Sequence, residues 1–258
     1  MRDPDEGVAA DGTITTGAAR SRVPQLFEPV LSSAAGAIAA AGRGACTYLY
    51  GSVATGQAQP RQSDVDLLTI GLDPGLAAEL GRALSGQFAG LCRGVEITTA
   101  TPDDLAGGSD EAYGFRVFLR HYCIHLAGPD YGHSLPRFPA DARAARGFNG
   151  DIAQHAAGWR TALADGAEPR RLGRQLARKT LLAVAGLVSV HDATWTTDRA
   201  LAAHRWAQVE PDLEPALQAL LAWSDGQALP GRPALQQMLD TATPRITAAF
   251  AAAIGLWS

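Results

Sequence analysis

Hydrophobic and polar positions follow two different periods along the chain. In residues 21 to 150, short apolar runs rich in β-branched residues lie between stretches whose apolar residues recur every three or four positions. The runs are TYLYG, DVDLLTIG and VEITTA, and the helical stretches cover residues 23 to 41 and 76 to 91. This order predicts an N-terminal α/β domain with a small mixed sheet.

Only the helical period remains after residue 150. The Ala- and Leu-rich stretches cover residues 151–164, 170–191, 198–208, 213–225 and 233–256. They predict a C-terminal α-helical bundle of four or five helices over residues 151 to 258, which places the chain in the α+β class. Residues 1 to 20 are polar and rich in Gly and Asp, so they predict a mobile tail.

Composition narrows the class of protein. The 258 residues are 47% apolar and 19% charged, as in soluble globular proteins, and the net charge is −4. No apolar run reaches the roughly 18 residues that span a bilayer, and the acidic N-terminus lacks the apolar core of a secretory signal. We therefore expect a cytoplasmic protein with no membrane partner, in which Cys46, Cys92 and Cys123 are reduced thiols. Its negative charge weighs against a nucleic-acid partner, because such binding rests largely on neutralising phosphates.

Two carboxylates in the run DVDLLTIG carry the first chemical signal. Asp64 and Asp66 are two residues apart, so on a strand they would project from the same face, while Val65 and Leu67 would point into the core. Two carboxylates this close favour a shared proton or a bound divalent cation.

A Gly-Ser pair carries the second signal. Gly51 and Ser52 follow the apolar run TYLY, at a position where a strand ends and a helix could begin. Glycine lets a phosphate approach the backbone closely, and the serine hydroxyl can donate to its oxygens. Together with the aspartates, this pair predicts a site for a nucleoside triphosphate and magnesium.

These elements resemble the nucleotidyltransferase superfamily that includes DNA polymerase β. The resemblance rests on Gly51-Ser52, on Ser63-Asp64-Val65-Asp66-Leu67 and on a later strand glutamate, Glu96, in VEIT. Within the superfamily, the pattern is most similar to aminoglycoside adenylyltransferases of the streptomycin/spectinomycin type. The resemblance makes residues 21 to 150 a nucleotidyltransferase domain and residues 151 to 258 its helical partner domain.

The resemblance also implies roles for the residues of the first domain. Asp64 and Asp66 would ligate magnesium, and Gly51 and Ser52 would hold the β and γ phosphates, with Ser63 as a further phosphate contact. Glu96 would be the general base on the acceptor hydroxyl, as in the aminoglycoside enzymes, or a third metal ligand, as in the polymerases.

For the helical domain, the resemblance implies two further sets of residues. Arg178, in LGRQLARKTLLAV, matches an arginine that reaches the triphosphate, and Arg199 is a candidate for a second cationic contact. Trp159 and Glu168 match an aromatic and acidic pair that holds the antibiotic. Their alternative role is structural, as a core tryptophan and a solvated loop glutamate.

The expected activity is therefore transfer of AMP from ATP, with two Mg²⁺ ions, to a hydroxyl of a small aminoglycoside-type acceptor. Two alternatives stay open: a toxin-like enzyme that modifies tRNA or protein, and a nucleotide-binding regulator without catalysis. His121 and His125 are four residues apart, but no acidic residue lies between them as in HExxH. A packed pair is therefore favoured over a zinc site.

Overall fold

The computed structural model describes residues 3 to 257 and divides into two compact units. The first unit contains the chain up to Glu6, Thr13–Gly108 and Phe115–Phe138, and the second contains Gly7–Gly12, Ser109–Gly114 and the chain from Pro139 onward. Both units therefore draw on separate parts of the sequence, whereas the hydrophobic pattern predicts one boundary near residue 150.

Strands and short helices alternate as far as residue 138. In chain order they are β1 (Gly7–Val8), β2 (Ile14–Thr15), α1 (Glu28–Ala41), β3 (Cys46–Tyr50), α2 (Gly51–Ala54), β4 (Val65–Ile70), α3 (Pro74–Gln87), β5 (Val95–Ala100), α4 (Asp110–Tyr122) and β6 (Ile124–Ala127). Four strands form one sheet in the order β5-β4-β3-β6, in which β3 is antiparallel to both neighbours and β4 is parallel to β5. The small mixed sheet agrees with the prediction.

The sheet of the first unit is covered by apolar side chains on both faces. Val65 and Leu67 of β4 are fully buried in one cluster, together with residues of α1 and α3. Leu68 and Ile70 are buried in a second cluster with residues of α4. Since side chains alternate along a strand, Asp66 lies on the same face as Leu68 and Ile70, at the start of β4.

The N-terminal segment differs from the predicted mobile tail. Among residues 3 to 20, Ile14 is only 1% exposed and its amide donates to the carbonyl of Phe138 at 3.0 Å. The amide of Gly17 donates to Asp3 at 2.6 Å. A single buried isoleucine in a polar stretch leaves no periodic signal, which is why the sequence pattern does not predict this packing. Residues 1 and 2 lie outside the described chain.

The two histidines singled out in the sequence lie on different elements. His121 is in the last turn of α4, whereas His125 is in β6, so they do not share a helical face. His121 is buried, and its Nε2 accepts a hydrogen bond from the amide of Phe138 at 2.9 Å. Burial, aided by the charges of Arg120 and Arg137, lowers the pKa of His121 to about 4.

We therefore expect the contribution of His121 to the stability of the first unit to fall as the pH falls from 6.5 towards 4. The unfolded chain protonates His121 near pH 6.5, whereas the folded chain resists protonation down to about pH 4, so the unfolded state binds more protons in this window. The loss would be at most about 3 kcal/mol of unfolding free energy. Urea titrations between pH 7 and pH 4 measure it, with His121→Gln as the control.

The His121→Gln variant keeps a side-chain acceptor for the Phe138 amide but does not titrate. Its unfolding free energy should therefore fall less steeply over the same pH range than that of the wild type. Parallel pH profiles for the two proteins would show that His121 is not the group responsible.

The second unit is helical. Its helices beyond residue 138 are α5 (Ala142–Asn149), α6 (Ile152–Ala164), α7 (Pro169–His191), α8 (Arg199–Val209), α9 (Glu214–Asp225), α10 (Arg232–Asp240) and α11 (Ala242–Ala253). The central helix is α7, whose buried face packs against α5, α6, α8, α9 and α11. None of the helices within residues 3 to 257 is long and apolar enough to cross a membrane.

One predicted helix is two helices in the structure. The pattern predicts a continuous helix over residues 233 to 256, but the chain breaks between α10 and α11 at Thr241, whose φ is −117° and ψ is −76°. Pro244 has no amide hydrogen for the carbonyl of Asp240, and its ring would clash with that carbonyl in a continuous helix. The proline therefore accounts for the break.

Candidate active site

Three polar side chains form a row across the sheet of the first unit. The register pairs Asp66 of β4 with Tyr50 of β3 on one side and with Glu96 of β5 on the other. Asp66 is partly buried and Glu96 is exposed. Because β4 and β5 are parallel and paired residue by residue, the two carboxylates project from the same face of the sheet.

Gly51 brings the turn after β3 against Asp66. Its φ is +74°, a conformation that favours glycine, and a Cβ atom at this position would lie 2.3 Å from Oδ2 of Asp66. Any other residue would therefore displace the Asp66 carboxylate. Ser52 follows in the one-turn helix α2 and is partly exposed.

The carboxylate of Asp66 sits in surroundings that disfavour its negative charge. Burial is the largest cause, and the charges of Glu96 and Asp64 add to it, so that the pKa of Asp66 rises to about 6. The guanidinium of Arg93 acts in the opposite direction. The site therefore has an excess of negative charge that a cation would relieve.

Asp64 is held by Arg93. The Arg93 Nε donates to Oδ1 of Asp64 at 3.0 Å, and its Nη2 forms a second, shorter hydrogen bond to Oδ2. Asp64 lies just before β4, and its side chain is 12% exposed, against 64% for Arg93. The charge of Asp64 still acts on Asp66, but the two aspartates differ in their contacts: Asp66 faces Glu96 and Gly51, while Asp64 has an arginine as partner.

The residues present fit magnesium. Within residues 3 to 257, no three His, Cys, Asp or Glu side chains are already arranged as ligands of a metal ion. Magnesium, however, is commonly bound by one or two carboxylates together with substrate phosphates. The raised pKa of Asp66 and its position against the Gly51 turn describe a carboxylate whose negative charge a bound cation would stabilise.

Two nearby residues were not predicted from the sequence. The Tyr50 hydroxyl lies 3.2 Å from Oγ1 of Thr98, and burial raises the pKa of Tyr50 to about 12. In the sequence, the position of Tyr50 directly before Gly51 indicates that it lies near the predicted phosphate-binding turn. Arg93, three residues before Glu96, was hidden by the abundance of arginine in the chain.

Ser63 has a structural contact in this structure. Its Oγ accepts a hydrogen bond from the amide of Gln59 at 2.9 Å, and its carbonyl accepts one from the amide of Arg93 at 3.0 Å. Ser63 thus ties the loop before β4 to the loop before β5. Contact with phosphate stays a prediction.

The second unit brings Arg178 and Arg199 close together. Burial lowers the pKa of Arg199, the positive charge of Arg178 lowers it further, and Asp225 opposes both effects. Arg174 lies one turn before Arg178 on α7, and a Cβ at Gly226 would lie 3.2 Å from its Nη2. Arg199 is partly buried and Arg178 is exposed, and two positive charges that repel each other would be stabilised by a bound anion.

Trp159 and Glu168 are engaged in local structure. Trp159 of α6 is 6% exposed and stacks on His155, with ring centroids 5.5 Å apart. Glu168 is the N-cap of α7 and accepts hydrogen bonds from the amides of Arg170 and Arg171. The burial of Trp159 matches its structural alternative, whereas Glu168 is exposed but engaged as a helix cap rather than free in a loop. Antibiotic binding by either residue stays a prediction.

Comparisons with known proteins concern the fold of the chain. No family model matches the sequence, and no curated protein matches it. Among solved structures, the chain is similar to the crystal structure of spectinomycin adenyltransferase AAD(9) from Enterococcus faecialis with ATP and spectinomycin. The match covers 89% of this chain and 97% of that chain, with a TM-score of 0.51 and 11% sequence identity. The chain shares its fold with this adenyltransferase, in agreement with the fold that the resemblance of the sequence implies.

Proposed function

We propose that the protein is a magnesium-dependent nucleotidyltransferase that transfers AMP from ATP to a hydroxyl of a small, aminoglycoside-type acceptor. The proposal rests on one observation: three residues distant in sequence lie together, with Gly51 against Asp66 and Asp66 beside Glu96. Phosphate-binding backbone and paired carboxylates on one sheet face are the requirements for in-line transfer of a nucleotidyl group.

The proposed reaction has one bond formed and one bond broken. The acceptor oxygen attacks the α-phosphorus of ATP, the bond between that phosphorus and the α–β bridging oxygen breaks, and pyrophosphate leaves. Glu96, exposed on β5, takes the proton of the acceptor hydroxyl. Gly51 and Ser52, at the turn that follows β3, are assigned to the β and γ phosphates, since the absence of a side chain at Gly51 lets a phosphate approach the backbone.

Asp64 and Asp66 supply the carboxylates that would hold magnesium, and a third ligand is the second role open to Glu96. Bound magnesium would neutralise the charge of the phosphates and align their oxygens. Arg178 and Arg199, in the proposed helical bundle of residues 151 to 258, are proposed to contact the triphosphate, since Arg178 is exposed and the two guanidinium groups lie close together.

The proposed acceptor is a cationic, hydroxyl-rich small molecule. The similar solved structure is described as containing ATP and spectinomycin. The negative net charge of this chain suits a cationic acceptor better than a nucleic acid.

Pyrophosphate release tests this proposal. The purified protein is incubated with ATP and Mg²⁺ across a panel of aminoglycosides and aminocyclitols, with Asp66→Asn as the blank. Release that depends on one compound, with a mass increase of that compound equal to one adenylyl group, is the expected result. ATP binding without release in any mixture would overturn the small-molecule acceptor, and absence of ATP binding would overturn the proposal as a whole.

A further inference from the structure

Arg93 is fixed at the junction of the two loops that carry the carboxylates. Its amide donates to the carbonyl of Ser63 at 3.0 Å, and the amide of Val65 donates to the carbonyl of Gly94 at 2.9 Å. These two hydrogen bonds join the loop before β5 to the residues that flank Asp64. The backbone of Arg93 is therefore held in place, while its side chain is 64% exposed and able to change rotamer.

The guanidinium of Arg93 engages both oxygens of Asp64 in a fork-shaped contact. The same two oxygens are the atoms through which a carboxylate ligates a divalent cation. A guanidinium that takes both oxygens holds the carboxylate in one orientation and neutralises its charge. Asp66 and Glu96, paired across β4 and β5, have no comparable arginine fork within the described part of the chain.

We propose that Arg93 is a stand-in cation at Asp64, which a divalent metal ion must displace before Asp64 can serve as a ligand. This inference rests on the proposed function, since it concerns the same carboxylates. Arg93 is accordingly a positioning residue that acts through Asp64. The exposed side chain of Arg93 turns to solvent when the metal binds, and the free energy of the ion pair is subtracted from the free energy of metal binding.

Manganese binding in the absence of nucleotide tests this inference without any measurement of turnover. Free Mn²⁺ is followed by electron paramagnetic resonance during titration of the full chain. We expect Arg93→Gln to bind Mn²⁺ about fivefold more tightly than the wild type, which corresponds to a partly exposed ion pair of about 1 kcal/mol. Arg93→Lys keeps the charge without the fork, so its affinity should lie between the two.

Arg61 offers a matched control for the general loss of positive charge. It is an exposed arginine of the neighbouring loop, and its Nε donates to the carbonyl of Gly90 and not to a carboxylate. Arg61→Gln should leave Mn²⁺ affinity within about twofold of the wild type, since a charge in solvent is strongly screened. Equal gains in Arg61→Gln and Arg93→Gln, or a loss of affinity in Arg93→Gln, would overturn the inference.

The double variant tests whether the gain in Mn²⁺ affinity depends on Asp64. In Asp64→Asn, the neutral amide no longer forms the ion pair, so adding Arg93→Gln should bring no further gain in Mn²⁺ affinity. The thermal shift gives an independent readout: excess Mg²⁺ should raise the unfolding temperature of Arg93→Gln more than that of the wild type. An equal shift in the two proteins counts against metal displacement.

The failures of the two proposals are distinguishable. If the wild type transfers nucleotides and binds Mn²⁺ but Arg93→Gln behaves like Arg61→Gln, only the role of Arg93 fails. If neither the wild type nor Arg93→Gln binds Mn²⁺ at millimolar concentration, the metal site fails, and the magnesium-dependent function fails with it.

Discussion

The Asp66→Asn variant is expected to lose nucleotidyl transfer while unfolding at a higher temperature than the wild type. The two effects would have the same origin: in the proposed reaction the negative charge of Asp66 holds the cation, and burial beside Glu96 disfavours that charge. Loss of one metal-holding carboxylate should remove about 4 kcal/mol of transition-state stabilisation, which is a fall in turnover on the order of 10³-fold.

The expected gain in stability follows from the surroundings of Asp66. Its carboxylate is partly buried beside Glu96, and burial and that neighbouring charge both raise its pKa. An asparagine has the same shape without the charge, so the unfolding free energy should rise by about 1 kcal/mol and the unfolding temperature by about 2–4 °C. Calorimetry without metal and the pyrophosphate assay with metal measure the two effects.

Asp73→Asn is the matched control. Asp73 is an exposed N-cap in the same unit, and its side chain accepts hydrogen bonds from Gly75 and Leu76 at the start of α3. Asparagine is an equally good N-cap, so activity and stability should both stay near the wild type. Full activity of Asp66→Asn would remove the metal assignment, and a lower unfolding temperature would show that the charge of Asp66 is satisfied in the metal-free protein.

The strands of the site could be predicted from the sequence because their local pattern is strong. VEITTA coincides with β5, and DVDLLTIG differs from β4 by one residue at each end. The burial of Val65 and Leu67 also agrees with the alternation. The pairing of Asp66 with Glu96 could not be predicted from the local pattern. The two residues are 30 positions apart, and their register depends on how the two strands pair in the sheet.

Side-chain partners could not be predicted in the same way. The ion pair of Arg93 with Asp64 joins two loops, and nothing in the local pattern distinguishes Arg93 from the other arginines. The stacking of Trp159 on His155 could be predicted from the sequence, since residues four apart on a helix are neighbours. Pro244 likewise marked the break near Thr241. Local sequence patterns thus predict the helices and strands, whereas tertiary contacts determine which charged groups meet in the site.

Glu96→Gln is expected to lower turnover by about 10²–10⁴-fold, the usual contribution of a general base, while ATP affinity changes by less than about threefold. Glutamine has the shape of glutamate but does not accept the proton of the acceptor hydroxyl. Glu79→Gln, an exposed glutamate on α3, is the matched control and should leave both quantities unchanged. Single-turnover rates and equilibrium binding of ATP measure the two quantities separately.

The comparison of Glu96→Gln with Asp66→Asn decides between the two roles open to Glu96. Asp66 is partly buried and in contact range of the Gly51 turn, whereas Glu96 is exposed on the edge strand β5, where an acceptor has access to it. A base at that position leaves Mn²⁺ affinity intact when it is neutralised, while a metal ligand does not. We therefore expect Asp66→Asn to lose Mn²⁺ affinity and Glu96→Gln to keep it. A parallel loss in both variants, with a smaller fall in the single-turnover rate of Glu96→Gln at saturating metal, would make Glu96 a third ligand and leave the acceptor proton to another group.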